Sequence, residues 1–171
     1  MFGSVSDLEI EGQIPALRRF ARSLARNRDD ADELVQDTLL QALSRWRQLR
    51  RPGSIRAWLF QILFNLHRTR GRDRQRHLVR FSDEAGADHP DPAGDQTQGL
   101  HLSDALSALS RLPQEQRIAL ELVAIEDLTY EEVAKVTEVP IGTVMSRLSR
   151  ARERLRSELE GSNVTRFRRM K

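Results

Sequence analysis

The sequence contains no cysteine, which excludes disulfides and thiolate metal sites. Its four histidines, His67, His77, His89 and His101, are scattered, and no two stand at the i, i+4 spacing of a helical metal pair. No apolar run approaches the ~20 residues of a membrane span. The start, Met1-Phe2-Gly3-Ser4, has neither the basic stretch nor the apolar run of a signal peptide. Aromatic residues are 5% of the 171 and hydrophobic residues 39%, low for one large core but adequate for small helical bundles. Gly-rich phosphate loops, nucleophile arrangements and metal clusters are also missing, so no catalytic site, metal or cofactor is expected. These absences leave a soluble, cytoplasmic, non-enzymatic protein as the expectation.

What the sequence does have is charge, and the charge is segregated. The formal net charge is only +3. Yet residues 50–80 hold nine basic side chains against one acid, and residues 140–171 hold nine against three. Between them, residues 81–110 carry six acids and no base, and residues 111–139 seven acids against three bases. Two basic blocks divided by acidic sequence predict two separate contacts with a polyanion. Lysine is nearly absent, at Lys135 and Lys171 only, and the other basic residues are arginines, which suit forked contacts to phosphate and guanine.

Hydrophobic periodicity predicts helices throughout, hence an all-α fold. Ile14, Leu17, Phe20, Ala21 and Leu24 share one face of a first helix over roughly Ile14 to Arg26. Asn27-Arg28-Asp29-Asp30 reads as a turn with an Asp cap. A second helix carries Leu34, Val35, Thr38, Leu39, Ala42, Leu43 and Trp46 on its apolar stripe. Pro52-Gly53 breaks the chain, and Ser54 suits the cap position of a third helix with the stripe Ile55, Trp58, Leu59, Ile62, Leu63 and Leu66. Trp58 lies on that stripe and is therefore expected in the core. Periodicity dissolves into Arg-rich sequence from Arg68 to Arg76, giving a first domain over about residues 10–77. Residues 78–100 turn acidic and rich in Gly, Pro and Asp, which predicts a flexible linker. As a coil it spans about 27 Å, and fully extended about 75 Å.

Periodicity returns at Leu102, Ala105, Leu106 and Leu109, followed by a helix after Leu112-Pro113 with Ile118, Ala119, Leu122 and Val123. Thr129 precedes Glu132 by three residues, the pattern of a capping box. Thr137-Glu138-Val139-Pro140 interrupts the short helix that follows, and Pro140 suits the threshold of a new one. Val144, Leu148, Ala151, Leu155 and Leu159 form its buried stripe, while Met145, Ser146, Ser149, Arg150, Arg152, Glu153 and Arg156 lie on the other face. A short helix, a tight turn and a second helix with a basic polar face is a helix-turn-helix pattern, whose second helix enters the major groove. The same pattern also describes an ordinary surface helix with solvated arginines, so its neighbours in sequence matter.

Those neighbours resemble one family in order along nearly the whole chain. Residues Pro140 to Arg152, with the preceding Leu128-Thr129-Tyr130-Glu131-Glu132-Val133-Ala134, resemble the recognition element of the extracytoplasmic-function sigma factors of bacteria. Leu109-Ser110-Arg111-Leu112-Pro113-Gln114-Glu115-Gln116-Arg117 looks like the start of their distal domain, region four. Asp30-Ala31-Asp32-Glu33-Leu34-Val35-Gln36-Asp37-Thr38 is similar to their polymerase-binding segment. Ala57-Trp58-Leu59-Phe60-Gln61-Ile62 with Asn65 is similar to their minus-ten reader.

The resemblance implies a sigma factor with core RNA polymerase, promoter DNA and an anti-sigma factor as partners. It implies region two over 10–77, region four over 101–160 and a basic tail over 161–171. Asp30, Asp32, Glu33, Gln36 and Asp37 would dock on a basic coiled coil of the polymerase, although helix capping accounts for part of the Asp29 and Asp30 signal. Asn65, Arg68, Arg70, Arg72, Arg74 and Arg76 would hold the minus-ten element. Thr143, Met145, Ser146, Arg147, Ser149, Arg150 and Arg152 would meet the minus-thirty-five element. Three positions depart from the family pattern: Glu138 replaces a turn glycine, Met145 a frequent Lys or Arg, and Thr69 a usual Asp. Two other readings remain open, a sigma mimic that titrates an anti-sigma factor without binding DNA, and a conventional helix-turn-helix regulator.

Overall fold

The computed structural model describes residues 6–46, 54–80 and 107–169, and side chains over 9–45, 54–72 and 107–158. Among the described residues the chain is helical, with no strand. It divides into two compact units, the first taking in α1 (Ser6–Glu11), α2 (Ile14–Leu24), α3 (Arg28–Trp46) and α4 (Ile55–Arg80). The second takes in α5 (Gln114–Ala124), most of α6 (Tyr130–Thr137) and α7 (Ile141–Arg169), preceded by a helical turn over 107–110.

In the first unit α3 packs against both α2 and α4. Leu17, Phe20 and Ala21 of α2 are fully buried, as are Leu59, Phe60 and Leu63 of α4. The Phe20 and Phe60 rings meet at 5.2 Å between centroids, tilted by 39°. Arg56 lies 5.4 Å over the Phe60 ring and donates to Gln13 Oε1 at 2.6 Å, which ties the turn before α2 to the start of α4. Thr38 is wholly buried and satisfies its hydroxyl on the Leu34 carbonyl at 2.7 Å, which is why a polar residue sits on an apolar stripe.

Several expectations need correction. The cap of α3 is Asn27, whose Oδ1 accepts the Asp30 backbone N–H at 2.7 Å; Asp29 and Asp30 belong to the first turn. Leu43, expected in the core, is 53% exposed, and Trp58 is half-buried rather than part of the buried core. The Arg-rich stretch does not end the helix. Arginine is a good helix former, so α4 continues to Arg80 after its apolar stripe has run out, three residues into the stretch expected as linker. Residues 81–100, the rest of that expected linker, lie outside the described residues, as do Leu102, Ala105 and Leu106. The Ser54 cap holds as expected, its Oγ accepting the Ala57 N–H at 3.1 Å.

In the second unit α5 packs against α7, with Ile118, Ala119, Leu122, Val144, Leu148 and Ala151 buried. Leu155, on the expected stripe, is half-buried. The α6 start is a complete capping box: Thr129 Oγ1 accepts from the Glu132 N–H at 3.2 Å, and Glu132 Oε2 accepts from the Thr129 N–H at 2.9 Å. Glu138 closes α6 in the left-handed region, φ 56° and ψ 43°. The tight turn therefore places a non-glycine residue at positive φ, where the sigma factors it resembles usually have glycine, and Glu bears a local cost of about 1–2 kcal/mol. The Pro140 carbonyl accepts from Thr143 and Val144 and so starts α7. That helix runs on to Arg169, through most of the expected basic tail.

Candidate nucleic-acid and protein interfaces

The acidic stretch of α3 presents Glu33 and Gln36 exposed, with Asp30, Asp32 and Asp37 half-buried. Glu33 and Asp37 are one turn apart, and both face a single cation on α4. Arg70 Nη2 lies 2.5 Å from Asp37 Oδ2 and 3.4 Å from Glu33 Oε1. The structure thus brings together one residue expected to hold DNA and two expected to dock protein. The same stripe continues into Leu40, 66% exposed, and Leu43, 53% exposed. Sequence reasoning missed Leu40 altogether and assigned Leu43 to the core. The available signal was that the two leucines together make the apolar stripe of α3 wider than one buried face needs.

Helical register sorts the polar residues of α4. Asn65, Arg68 and Arg72 recur at spacings of three and four and share a face, whereas Arg70 turns toward α3. Asn65 and Arg68 are half-buried and Arg72 is exposed. Thr69, one of the departures, returns its hydroxyl to the Asn65 carbonyl at 2.9 Å. His67 is half-buried; burial first, and the Arg70 charge second, lower its pKa from the ordinary 6.5. Arg74 and Arg76 lie on α4, but their side chains lie outside the described set.

On α7 the expected division of faces is observed over the first three turns. Val144, Leu148 and Ala151 are at most 1% exposed, while Met145, Ser146, Ser149, Arg150 and Arg152 are exposed. Thr143 is half-buried. Three of the polar groups are engaged within the unit. Ser146 Oγ donates to the Thr143 carbonyl at 2.9 Å, Arg147 Nη2 donates to Glu115 Oε2 at 2.5 Å, and Arg152 Nη2 donates to the Tyr130 hydroxyl at 3.3 Å. Arg150 has no hydrogen-bond or ion-pair partner among the described residues. A Cβ on Gly142 would meet nothing within 4 Å, so the start of this helix is open to a close approach.

Known proteins resemble this chain along most of its length. Residues 10–64 match the family described as the sigma2 domain of PhyR, and residues 102–155 match sigma-70 region 4. Together these define a chain of sigma-70 type. The ECF RNA polymerase sigma factor EcfG of Rhodopseudomonas palustris is 41% identical over 147 residues, covering 86% of this chain and 81% of its own. The sigma factor RpoE, solved with the anti-sigma factor NepR from Bartonella quintana, superposes with a TM-score of 0.72 at 37% identity, over 90% of this chain and 96% of that one. CnrH, solved with the cytosolic domain of CnrY, gives 0.60 at 28% identity, over 89% and 85%. The chain belongs to the extracytoplasmic-function family of RNA polymerase sigma factors.

Proposed function

We propose that this sigma factor docks on core polymerase through the outer face of α3. Asp30, Asp32, Glu33, Gln36 and Asp37 supply charge for a basic coiled coil, and Leu40 and Leu43 supply apolar contact. Opposite charges speed encounter and fix orientation, while exposed leucines beside them bury on binding. The α4 face of Asn65, Arg68 and Arg72, continued by Arg74 and Arg76, holds the minus-ten element as the duplex opens, with the arginines on strand phosphates. Arg70 divides its time between these phosphates and the α3 carboxylates. In this reading α7 reads the minus-thirty-five element through Thr143, Met145, Ser146, Ser149 and Arg150, with Arg147 and Arg152 on phosphates. Residues 10–77 act as region two, 78–100 as linker, 101–160 as region four and 161–171 as a basic tail.

The observation that carries this reading is the helix-turn-helix itself. A capped α6, a left-handed turn at Glu138 and an α7 with one buried and one exposed face form a unit suited to a major groove. The relative RpoE was solved bound to the anti-sigma factor NepR, and an anti-sigma factor is accordingly the expected cytoplasmic antagonist here. Among the described residues no helix is long and apolar enough to cross a membrane.

A second reading has one observation in its favour: the family matched by the first unit is a domain of PhyR, and a sigma mimic of that kind would sequester an anti-sigma factor without touching DNA. Reversing Asp32, Glu33 and Asp37 to Arg, with fluorescence anisotropy against labelled core polymerase, tests docking. The account expects association to be lost with helicity intact. Wild-type affinity in the triple variant moves the docking surface elsewhere, and a wild-type chain with no affinity for core polymerase favours the mimic.

A further inference from the structure

We propose that Met145, seconded by Ile141, reads the C5-methyl group of a thymine in the upstream promoter element. The inference rests on α7 being the groove-reading helix, and it assigns one edge of that helix an apolar chemistry.

Leu40, Leu43, Ile125, Ile141 and Met145 are the large hydrophobic side chains left exposed among the described residues. Two of them, Ile141 at 37% and Met145 at 49%, stand in the first turn and a half of α7. They are four residues apart, so they are neighbours on the helix surface, separated by about 6 Å along its axis. Two neighbouring apolar groups at the end of a helix that enters a groove have no folding role that their exposure would serve. In the major groove, the apolar feature a base presents is the thymine methyl.

The reading face is also chemically lopsided. At 100° per residue, Ser149 and Ser146 occupy its middle, Arg150 one edge and Met145 the other. Ser146 has committed its proton to the Thr143 carbonyl, so toward a base it offers lone pairs only. Arg147 and Arg152 are held by Glu115 and Tyr130. Arg152 lies two turns beyond Met145 on the same edge, so over the first turn and a half of α7 that edge carries only the apolar pair Ile141 and Met145, with Arg150 as the forked donor on the opposite edge. Gly142 places no side chain in front of the patch. Methionine suits the task because its unbranched, polarisable chain adapts to a methyl group, while the stiff Ile141 sits behind it. The family's frequent Lys or Arg at position 145 would instead favour a phosphate or a guanine edge, so this substitution changes which base is preferred.

Deoxyuridine in place of thymine removes only the methyl and keeps base pairing, which makes the test direct. Holoenzyme assembled from core polymerase and the full chain is titrated with duplexes carrying the preferred upstream element, each thymine of either strand replaced in turn. At one position the wild type should lose about four-fold in affinity, the weight of one methyl group returned to water. Met145→Ala should bind the thymine and uracil duplexes equally at that position while keeping the base preference set by Arg150, and Met145→Leu should keep most of the thymine preference. Met145 is exposed, so neither variant disturbs the core. Indifference of the wild type to uracil everywhere, a preferred element without any A·T pair, or a uracil penalty that survives unchanged in both Met145→Ala and Ile141→Ala overturns the proposal. Failure of the underlying reading looks different: scrambling the whole upstream element would then leave affinity unchanged.

Discussion

Leu148→Ala should strongly destabilise the second unit and leave the first intact. Leu148 is 1% exposed and sits between Val144 and Ala151 on the buried stripe of α7. Truncation removes three carbons, a transfer loss of about 2.4 kcal/mol at about 0.8 kcal/mol each, and the unrelaxed cavity brings the total to about 3–4 kcal/mol. A unit of roughly 60 residues has about 3–9 kcal/mol in all, so at least about a third of its stability is lost. The sequence offers a convenient assay, because both tryptophans, Trp46 and Trp58, lie in the first unit and the single tyrosine, Tyr130, in the second. In urea titrations, tryptophan fluorescence should show an unmoved transition, while far-UV circular dichroism should show the remaining helix melting at much lower denaturant. A Leu148→Ala chain whose dichroism midpoint moves by less than the equivalent of about 0.5 kcal/mol, the range of ordinary surface substitutions, would refute the packing described for α7.

Three further outcomes are expected. Arg150→Ala should cost about 1–3 kcal/mol on the preferred promoter and relax preference at one base pair, whereas Arg152→Ala should weaken all sequences about equally; selection of promoter variants against each separates them. A double-mutant cycle of Arg70→Ala with Asp37→Ala, read by denaturation, should give a coupling of about 0.2–1 kcal/mol, as befits a half-exposed pair, and strict additivity would mean that the pair does not form in solution. The first unit should lose stability as pH falls below about 6.5, because an unfolded His67 takes up a proton there more readily than the folded one. His67→Gln should remove that part of the slope, and an unchanged slope would count against the burial of the imidazole.

The helices were legible wherever a buried face repeats with helical period, as in Leu17, Phe20 and Ala21 of α2 or Val144, Leu148 and Ala151 of α7. Caps were legible where two signals coincide, as at Thr129 and Glu132. Where several capping residues adjoin, sequence alone could not choose, and Asn27 rather than an aspartate holds the start of α3. The far half of α4 was hidden because periodicity reports an apolar stripe, and the sequence from Arg68 to Arg76 carries none. Phe60 was overlooked and Leu43 misplaced for a related reason: three packed helices bury a wider arc than one stripe on α4 but leave the Leu40 and Leu43 side of α3 exposed. The contacts of Arg70 with Glu33 and Asp37, and of Arg147 with Glu115, join residues more than thirty positions apart. No local pattern reports such pairs, so the candidate sites were legible as lists of residues but not as arrangements.

The central claim is that this chain gives core polymerase a choice of promoter through two separate surfaces. Run-off transcription with purified core polymerase over a library of genomic promoters measures that choice directly. The account predicts specific initiation at a small set of promoters sharing two spaced elements, lost when Asp32, Glu33 and Asp37 are reversed and redirected when Arg150 is replaced. Initiation no more specific than that of core polymerase alone would contradict it.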